Sequence, residues 1–482
     1  MKALSVQDAT PIESEQSIDA KRRNAIKGAF FSEFIDMFDI YLPTVVLSPV
    51  LFYFRPSHVS PGTAAILSSL VFITTLLGRP FGAFFFGMVA DNIGRRKASI
   101  YSVAGFGFIT LLIALLPGYE SIGIASYWLL VLLRFLDGVC LGGGYTGAHP
   151  LAIEYAEKSQ RGFVGGLILA AFPLAYVVIN LVAMAMFALF PLAGPASPYV
   201  QFGWRIPFVL GALLAGVLAL YYVYKVPESE IWAVETEGGR RKLPLSDLLT
   251  GPSARNLLQV LVMMTGFWLT QNMITIFIPT TLLLHWLHLP KYELTLTLLI
   301  CYAVLFGSYI AAGVIAQRIG RRLFFVILGP LIAVVGGGMM YVLVSGAPLG
   351  LGAIILMVCV MSVLVTAPWG VIITYINERF VTDVRATGFG LGFSLSVVIP
   401  SFYAFYMNWL GAIMPFKLTA VALLVIGGLL GTVGALLGPE TRDVDFGFFL
   451  APKEHEDGAK RDQPDTGPLP AARGRRPRHH HQ

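Results

Sequence analysis

Apolar and polar positions alternate along this chain in long blocks. Apolar runs occupy roughly 28–54, 63–90, 98–117, 123–153, 163–191 and 204–224, then 256–286, 295–317, 323–345, 349–377, 386–411 and 415–437. Each is long enough for the roughly 20 residues that a helix needs to cross a bilayer. The pattern predicts an all-α membrane protein with twelve transmembrane helices in two six-helix bundles. The boundaries that follow are a disordered amino terminus at 1–24, a first bundle at 25–224, a polar linker at 225–254, a second bundle at 255–440 and a disordered, Pro-rich tail at 441–482.

The two halves repeat each other. The charged turn Gly87-Met-Val-Ala-Asp-Asn-Ile-Gly-Arg-Arg-Lys97 has a near copy in Gly313-Val-Ile-Ala-Gln-Arg-Ile-Gly-Arg-Arg-Leu323. Glu154 precedes Arg161 by the same interval as Glu378 precedes Arg385, and the halves end in Pro227-Glu228 and Pro439-Glu440. Two parallel repeats of six helices place a substrate site near the membrane midplane, between the halves.

Composition agrees with lipid as the main solvent. Of 482 residues, 56% are hydrophobic and 13% charged, with a mean hydropathy of +0.72. A soluble domain carries about 25% charged residues. The net charge of +6 would point to nucleic acid in a soluble chain. Here the cations sit between apolar runs and set topology, so no nucleic-acid partner is expected. With the amino terminus inside, the inner segments hold Lys21, Arg22, Arg23, Lys27, Arg95, Arg96, Lys97, Lys158, Arg161, Lys225, Arg240, Arg241, Lys242, Arg255, Arg318, Arg321, Arg322, Arg379 and Arg385; the outer ones hold only Arg55, Arg205, Lys291 and Lys417. The positive-inside rule then puts both termini and the linker in the cytoplasm and makes this an integral plasma membrane protein, bacterial inner membrane in type. The acidic start, with Glu13, Glu15 and Asp19, does not resemble a cleaved signal peptide.

Cys140, Cys301 and Cys359 are few and scattered, so neither a disulfide framework nor a metal site is expected. The tail run Arg475-Arg476-Pro477-Arg478 with His479, His480 and His481 is read as disordered and tag-like. No HExxH, GxSxG or Cys/His cluster points to an enzyme, and no cofactor is implied.

The residues carry a family resemblance over about 25–440. The stretch Gly87–Lys97 resembles the signature loop between helices two and three of the major facilitator superfamily, and Arg134-Phe-Leu-Asp-Gly138 resembles its fourth-helix motif, with Asp137 where Gln is usual. Within it, Arg79-Pro80-x-Gly82, Asp36-Met-Phe-Asp39, Gly203-Trp204-Arg205-Ile-Pro207-Phe208 and Arg385-Ala-Thr-Gly-Phe-Gly390 are most similar to the metabolite:proton symporter family. The sugar porters fit less well: Pro-Glu-Ser and Pro-Glu-Thr suit them, but their paired-Gln motif is missing, with only Gln271-Asn272 in helix seven. The resemblance implies the major facilitator fold, two pseudo-symmetric bundles, a monomer, a small-molecule substrate and protons as partners, and helices one, four, seven and ten lining the cavity.

Ionisable side chains cost about 3 kcal/mol or more each at the bilayer centre, so those present are the first candidates. Nearly all lie in the first half: Glu33, Asp36, Asp39, Arg79, Arg134, Asp137 and His149. If helix one enters near Lys27, Asp36 lies about 13 Å deep and Asp39 about 18 Å. At spacing i, i+3, i+6, Glu33, Asp36 and Asp39 share one face. Three carboxylates that close cannot all stay ionised in a low-dielectric cavity, so these three and Asp137 are the proton-coupling candidates; each could instead be paired structurally with Arg79 or Arg134. Arg134 and Arg79 are also candidate substrate contacts, through planar forks that suit a carboxylate. Gln271, Asn272, Trp369 and Tyr41 complete the candidate substrate set. His149, before Pro150, is read as a packing histidine. The gate and signature-loop set is Gly87, Asp91, Gly94, Arg95, Arg96, Glu154 and Arg161, with Gly313, Gly320, Arg321, Arg322, Glu378 and Arg385; Arg95 and Arg96 are expected on headgroups or on Glu154. The expected function is uptake of a small polar metabolite, first of all an organic anion, by proton symport with alternating access; a sugar, a betaine-like zwitterion or a proton-independent facilitator remain open.

Overall fold

The computed structural model describes residues 15–56, 59, 61–237 and 248–446. Among these, twelve helices are long and apolar enough to span a membrane: α1 (Gln16–Phe54), α2 (Leu70–Asn92), α3 (Arg95–Ala114), α4 (Ala125–Tyr155), α5 (Arg161–Leu189), α6 (Tyr199–Tyr224), α7 (Gly251–Trp286), α8 (Tyr292–Ile319), α9 (Arg321–Val344), α10 (Leu351–Glu378), α11 (Thr382–Gly411) and α12 (Phe416–Leu437). α1–α6 form one bundle and α7–α12 the other. Every apolar run of the sequence became a span, because in lipid only a helix satisfies its own backbone.

One boundary is corrected. Residues 15–24 are helical and continuous with α1, not disordered. They are polar, but charge pairing holds them: Arg22 bridges Asp19 and Glu157, and Lys21 meets Glu230 at 2.6 Å. The linker contains a helix, Glu230–Glu237. Residues 1–14 and 447–482, including the basic and histidine-bearing tail, lie outside the described residues. Scattered in sequence, Cys301 and Cys359 meet across α8 and α10 as free thiols, Sγ to Sγ 2.7 Å.

Successive spans run in opposite directions, so the starts of α1 and α7 and the ends of α6 and α12 share one membrane face. That face carries Arg95, Arg96, Arg161, Arg321, Arg322 and Arg385, and is called the basic face below. The first helix of each half loosens toward the other face. α1 widens to a π-helix at Leu42–Leu47, and α7 does so at Met273–Trp286. The cause is shared: Pro43 and Pro279 lack the N–H that an α-helical ladder needs.

Helix association in lipid depends on close packing, which small residues allow. Glycines set the α2–α4 seam. A Cβ at Gly82 would strike the Val139 carbonyl, and one at Gly142 the Arg79 carbonyl. This backbone contact fixes the register that brings Arg79 of α2 beside Tyr145 of α4. Two other glycines are required by conformation. Gly94 (φ +131) and Gly320 (φ +104) turn the chain into α3 and α9, and a Cβ on either would fall on the carboxylate of Glu228 or Glu440. Those carboxylates accept the first amides of the helices: Arg96 N–H donates to Glu228 at 3.1 Å, and Arg321 and Arg322 N–H donate to Glu440 at 2.9 and 3.0 Å. Gly94→Ala and Gly320→Ala are therefore expected to destabilise by about 1–3 kcal/mol each. Gly216→Ala, mid-helix with nothing within 4 Å of its Cβ, should leave the midpoint unchanged or raise it slightly; thermal unfolding in detergent checks the difference.

Candidate functional site

Seven ionisable side chains of the first half meet between α1, α2 and α4: Glu33, Asp36, Asp39, Arg79, Arg134, Asp137 and His149, each at most 3% exposed. Arg79 donates to Asp36 at 2.7 Å and lies over the Tyr145 ring at 4.9 Å. Arg134 Nη1 donates to Asp137 at 2.8 Å and lies 3.5 Å from Asp39. Thr110 of α3 donates its hydroxyl to the other oxygen of Asp39 at 2.9 Å. Glu33 and His149 approach to 3.2 Å. The helical spacing seen in sequence is realised, and each carboxylate of α1 has a basic side chain beside it.

Several of these polar atoms remain without a hydrogen-bond partner among the described residues. They include Asp36 Oδ1, Asp39 Oδ2, Asp137 Oδ1 and both oxygens of Glu33, and also Nε and Nη2 of Arg134. Buried polar groups are nearly always satisfied, so such a row inside the membrane is a place for water, a ligand or a proton. Nε and Nη2 form one planar edge of a guanidinium, the geometry that holds a carboxylate by two parallel hydrogen bonds.

The second half meets this cluster through α11. Tyr145 shares a hydrogen bond with Ser394, and its ring packs on Phe393 at 5.1 Å. Trp268 and Trp369 pack edge to face at 4.4 Å, and Trp268 donates to the Phe393 carbonyl. Gln271 Oε1 and Trp369 Nε1 are buried and unpartnered, as candidate ligand contacts would be. Asn272 is different: its amide donates to the Pro400 carbonyl at 2.9 Å, which engages it in holding α7 to α11. Tyr41 joins an aromatic cluster with Tyr176 at 5.0 Å and Phe172 at 6.0 Å, and Tyr176 stacks on Tyr302 of α8 at 3.9 Å.

The basic face is closed by two related sets of contacts. In the first, Asp91 caps α11, accepting from Ala386 N–H, Thr387 N–H and the Thr387 hydroxyl at 3.1, 2.9 and 2.6 Å. Arg95 pairs with Asp91 at 2.9 Å and donates to the Thr382 carbonyl. Glu154 takes Arg385 of the other half at 2.6 Å, Arg95 at 3.4 Å and the Ser229 hydroxyl. In the second set, Gln317 accepts from Gly162 N–H at the start of α5 and donates to the Lys158 carbonyl. Glu378 takes Arg321 at 3.2 Å, but Arg161 across the interface only at 3.9 Å. Gly87 and Gly313 let these layers close: a Cβ at either would strike the backbone of the opposite half, at Thr387 or Gly162.

Arg96 does not reach Glu154, one of its two expected destinations. Its guanidinium donates to the Tyr222 and Val223 carbonyls at the end of α6, as Arg322 does to Leu436 at the end of α12; the unpaired carbonyls of a helix end attract a cation. Residues not singled out in the sequence complete the layer. Phe446, beyond α12, lies under Arg161 at 3.7 Å and Arg385 at 3.9 Å, and Arg161 also donates to the Val444 carbonyl. Trp232 of the linker helix donates to the Asp91 carbonyl. Thr110 and Tyr145 could have been found as polar groups in apolar runs; nothing in the sequence marked Phe446.

Three comparisons bear on this arrangement. The family model of the Major Facilitator Superfamily matches residues 29–404. The inner membrane metabolite transport protein YhjE of Escherichia coli (strain K12) is 28% identical over 445 residues, covering 90% of this chain and 97% of that one. The proline/betaine transporter of the same organism is 27% identical over 430 residues, covering 85% of this chain and 81% of that one. Among solved structures, the MFS proton:xylose symporter XylE bound to 6-bromo-6-deoxy-D-glucose superposes with a TM-score of 0.72 over 88% of this chain and 97% of that one, at 16% identity.

Proposed function

Because the chain belongs to the Major Facilitator Superfamily and is a membrane transporter, not an enzyme, we propose that it imports a small organic anion together with protons by alternating access. The observation that carries the coupling is a charge imbalance. Among the described residues, Glu33, Asp36, Asp39 and Asp137 are buried against two guanidiniums, Arg79 and Arg134. Surplus buried charge is costly, and bound protons remove the surplus. Asp39 and Asp137, both beside Arg134, are the principal proton site; Asp36 and Glu33 extend it along α1.

The anion preference rests on the free edge of Arg134, with Arg79 one helix away and Gln271, Trp369 and Tyr41 supplying the rest of the contact surface. The basic face is read as cytoplasmic from its cations. On that reading the closed layer of Asp91, Arg95, Glu154, Arg161, Arg321, Glu378 and Arg385 is the inner gate. A zwitterion is the second reading: Tyr41, Phe172, Tyr176 and Tyr302 are a source of aromatic faces for a quaternary ammonium, and one relative is named as a proline/betaine transporter.

A thermal-shift screen of purified protein separates these. Carboxylates at 100-fold above their Kd should stabilise by about 2.7 kcal/mol, and Arg134→Lys, which keeps the charge but loses the fork, should abolish the shift. Stabilisation by betaines alone would favour the zwitterion, and stabilisation by sugars alone would remove both readings.

A further inference from the structure

Glu33 and His149 stand apart from the rest of the cluster. Both are fully buried, and Glu33 Oε2 lies 3.2 Å from His149 Nε2. Yet the two are off line, so that both oxygens of Glu33 and both nitrogens of His149 lack a hydrogen bond among the described residues. A neutral imidazole locked in packing would donate one N–H to a carbonyl or carboxylate. This one is held beside an acid without settling on it. Long, misaligned contacts of this kind are common between groups that exchange protons.

The position is equally specific. Asp39, Asp36 and Glu33 descend α1 toward the basic face in steps of about 4.5 Å. His149 lies on α4 beside the lowest of them, and Glu154, the centre of the gate, is about 7.5 Å further along the same helix. The pair therefore sits between the buried cluster and the gate. From α1 it is faced by Glu33 and, a turn deeper, Asp36; from α2 Arg79 lies within electrostatic reach of Glu33, as does Tyr309 from α8. On α4 itself Tyr145 lies one turn above, ring to ring at 6.0 Å. From α11 comes a side chain that cannot titrate: Phe389 stands edge-on to the imidazole at 5.6 Å and is itself fully buried. Phe389 belongs to the helix whose start Asp91 holds across the interface. Any opening of the basic face that draws α11 away from α2 takes Phe389 off His149.

We propose that Glu33 and His149 are the proton exit of this transporter, with Phe389 as its cover. A proton bound at Asp39 and Asp137 moves by way of Asp36 to Glu33. The O–H bond of Glu33 then breaks as an N–H bond forms at His149 Nε2, leaving carboxylate and imidazolium. With the gate open and Phe389 withdrawn, the imidazolium gives that proton to water and returns to neutral imidazole. With the gate closed, the cover keeps water out, so protons do not leak without substrate. The inference rests on the proton-symport reading.

The test uses full-length protein in liposomes, oriented with the basic face inside and loaded with a pH indicator, and a carboxylate substrate from the screen above. His149→Gln should slow net, proton-coupled uptake by about 10²-fold, the low end for loss of an acid–base group. It should also erase the dependence of the wild-type rate on internal pH. Substrate counterflow, which needs no proton release, should fall far less. Phe389→Ala should admit a substrate-independent proton leak that disappears in the double variant with His149→Gln. A His149→Gln protein with wild-type net uptake and an unchanged internal pH profile would overturn the proposal, as would a Phe389→Ala leak indifferent to His149. Wild-type protein that transports substrate without moving protons would instead remove the symport reading, and this inference with it.

Discussion

Asp39→Asn is expected to reduce uphill, proton-driven accumulation by about 10²-fold or more, the scale of removing a positioned acid–base group. Counterflow of the same substrate should survive. The substitution is mild structurally. Asparagine keeps an oxygen for the Thr110 hydroxyl, and Arg134 keeps Asp137 at 2.8 Å. What it removes is the ability to gain and lose a proton beside Arg134. A substrate carboxylate arriving at the free edge of Arg134 adds negative charge to a cluster that already holds more carboxylates than guanidiniums. A proton offsets that charge, so each ligand should tighten the other by the same factor, typically 1–3 kcal/mol. Apparent substrate affinity in the wild type should accordingly rise as pH falls. In Asp39→Asn, which mimics the protonated state permanently, affinity should become nearly independent of pH. Binding titrations across pH, run beside uptake and counterflow, check both parts.

Glu154→Gln should open the basic face. Glu154 is the buried acid between Arg385 of the opposite half at 2.6 Å and Arg95 at 3.4 Å. Removing one partner of a buried ion pair costs about 3–5 kcal/mol, because the charges left behind are unpaired. That penalty applies only while the gate is closed; once open, both arginines are solvated. The closed-to-open ratio should therefore shift by about 10²–10⁴-fold. Glu378→Gln should do much less, since its cross-interface partner Arg161 stands off at 3.9 Å. Spin labels at the exposed positions Lys97 and Arg318, in protein with Cys140, Cys301 and Cys359 replaced by alanine, report the separation of the halves. A long-distance population that grows in Glu154→Gln and hardly changes in Glu378→Gln is the expected outcome.

The fold was legible because lipid permits so few patterns. Twelve apolar runs, a repeated charged turn and Arg134 amid apolar residues leave little choice of architecture. The polar residues of the site were legible for the same reason: charge in a span is too costly to be incidental. Their pairing was not. Whether Asp36 meets Arg79 or Arg134 depends on the register of α2 against α4, which is set by backbone contact at Gly82 and Gly142, a tertiary fact. His149 was read as packing because its partner, Glu33, lies on a different helix far back in the chain. Asp91 was expected in the gate, and Gln317 takes its place in the repeated turn, but each caps a helix of the opposite half, and no local pattern announces that. The layer under Phe446 was invisible because a short polar segment after the last span looks like any tail.

The central claim, that buried carboxylates of the first half tie substrate movement to proton movement, is tested most directly by proton flux in liposomes. Purified protein is reconstituted with no initial pH difference, an identified substrate is added outside, and internal pH is followed as substrate enters. The account predicts internal acidification that begins with substrate addition, scales with the substrate gradient and is absent in Asp39→Asn. Substrate entry with no change of internal pH in the wild type, or equal acidification in Asp39→Asn, would contradict it.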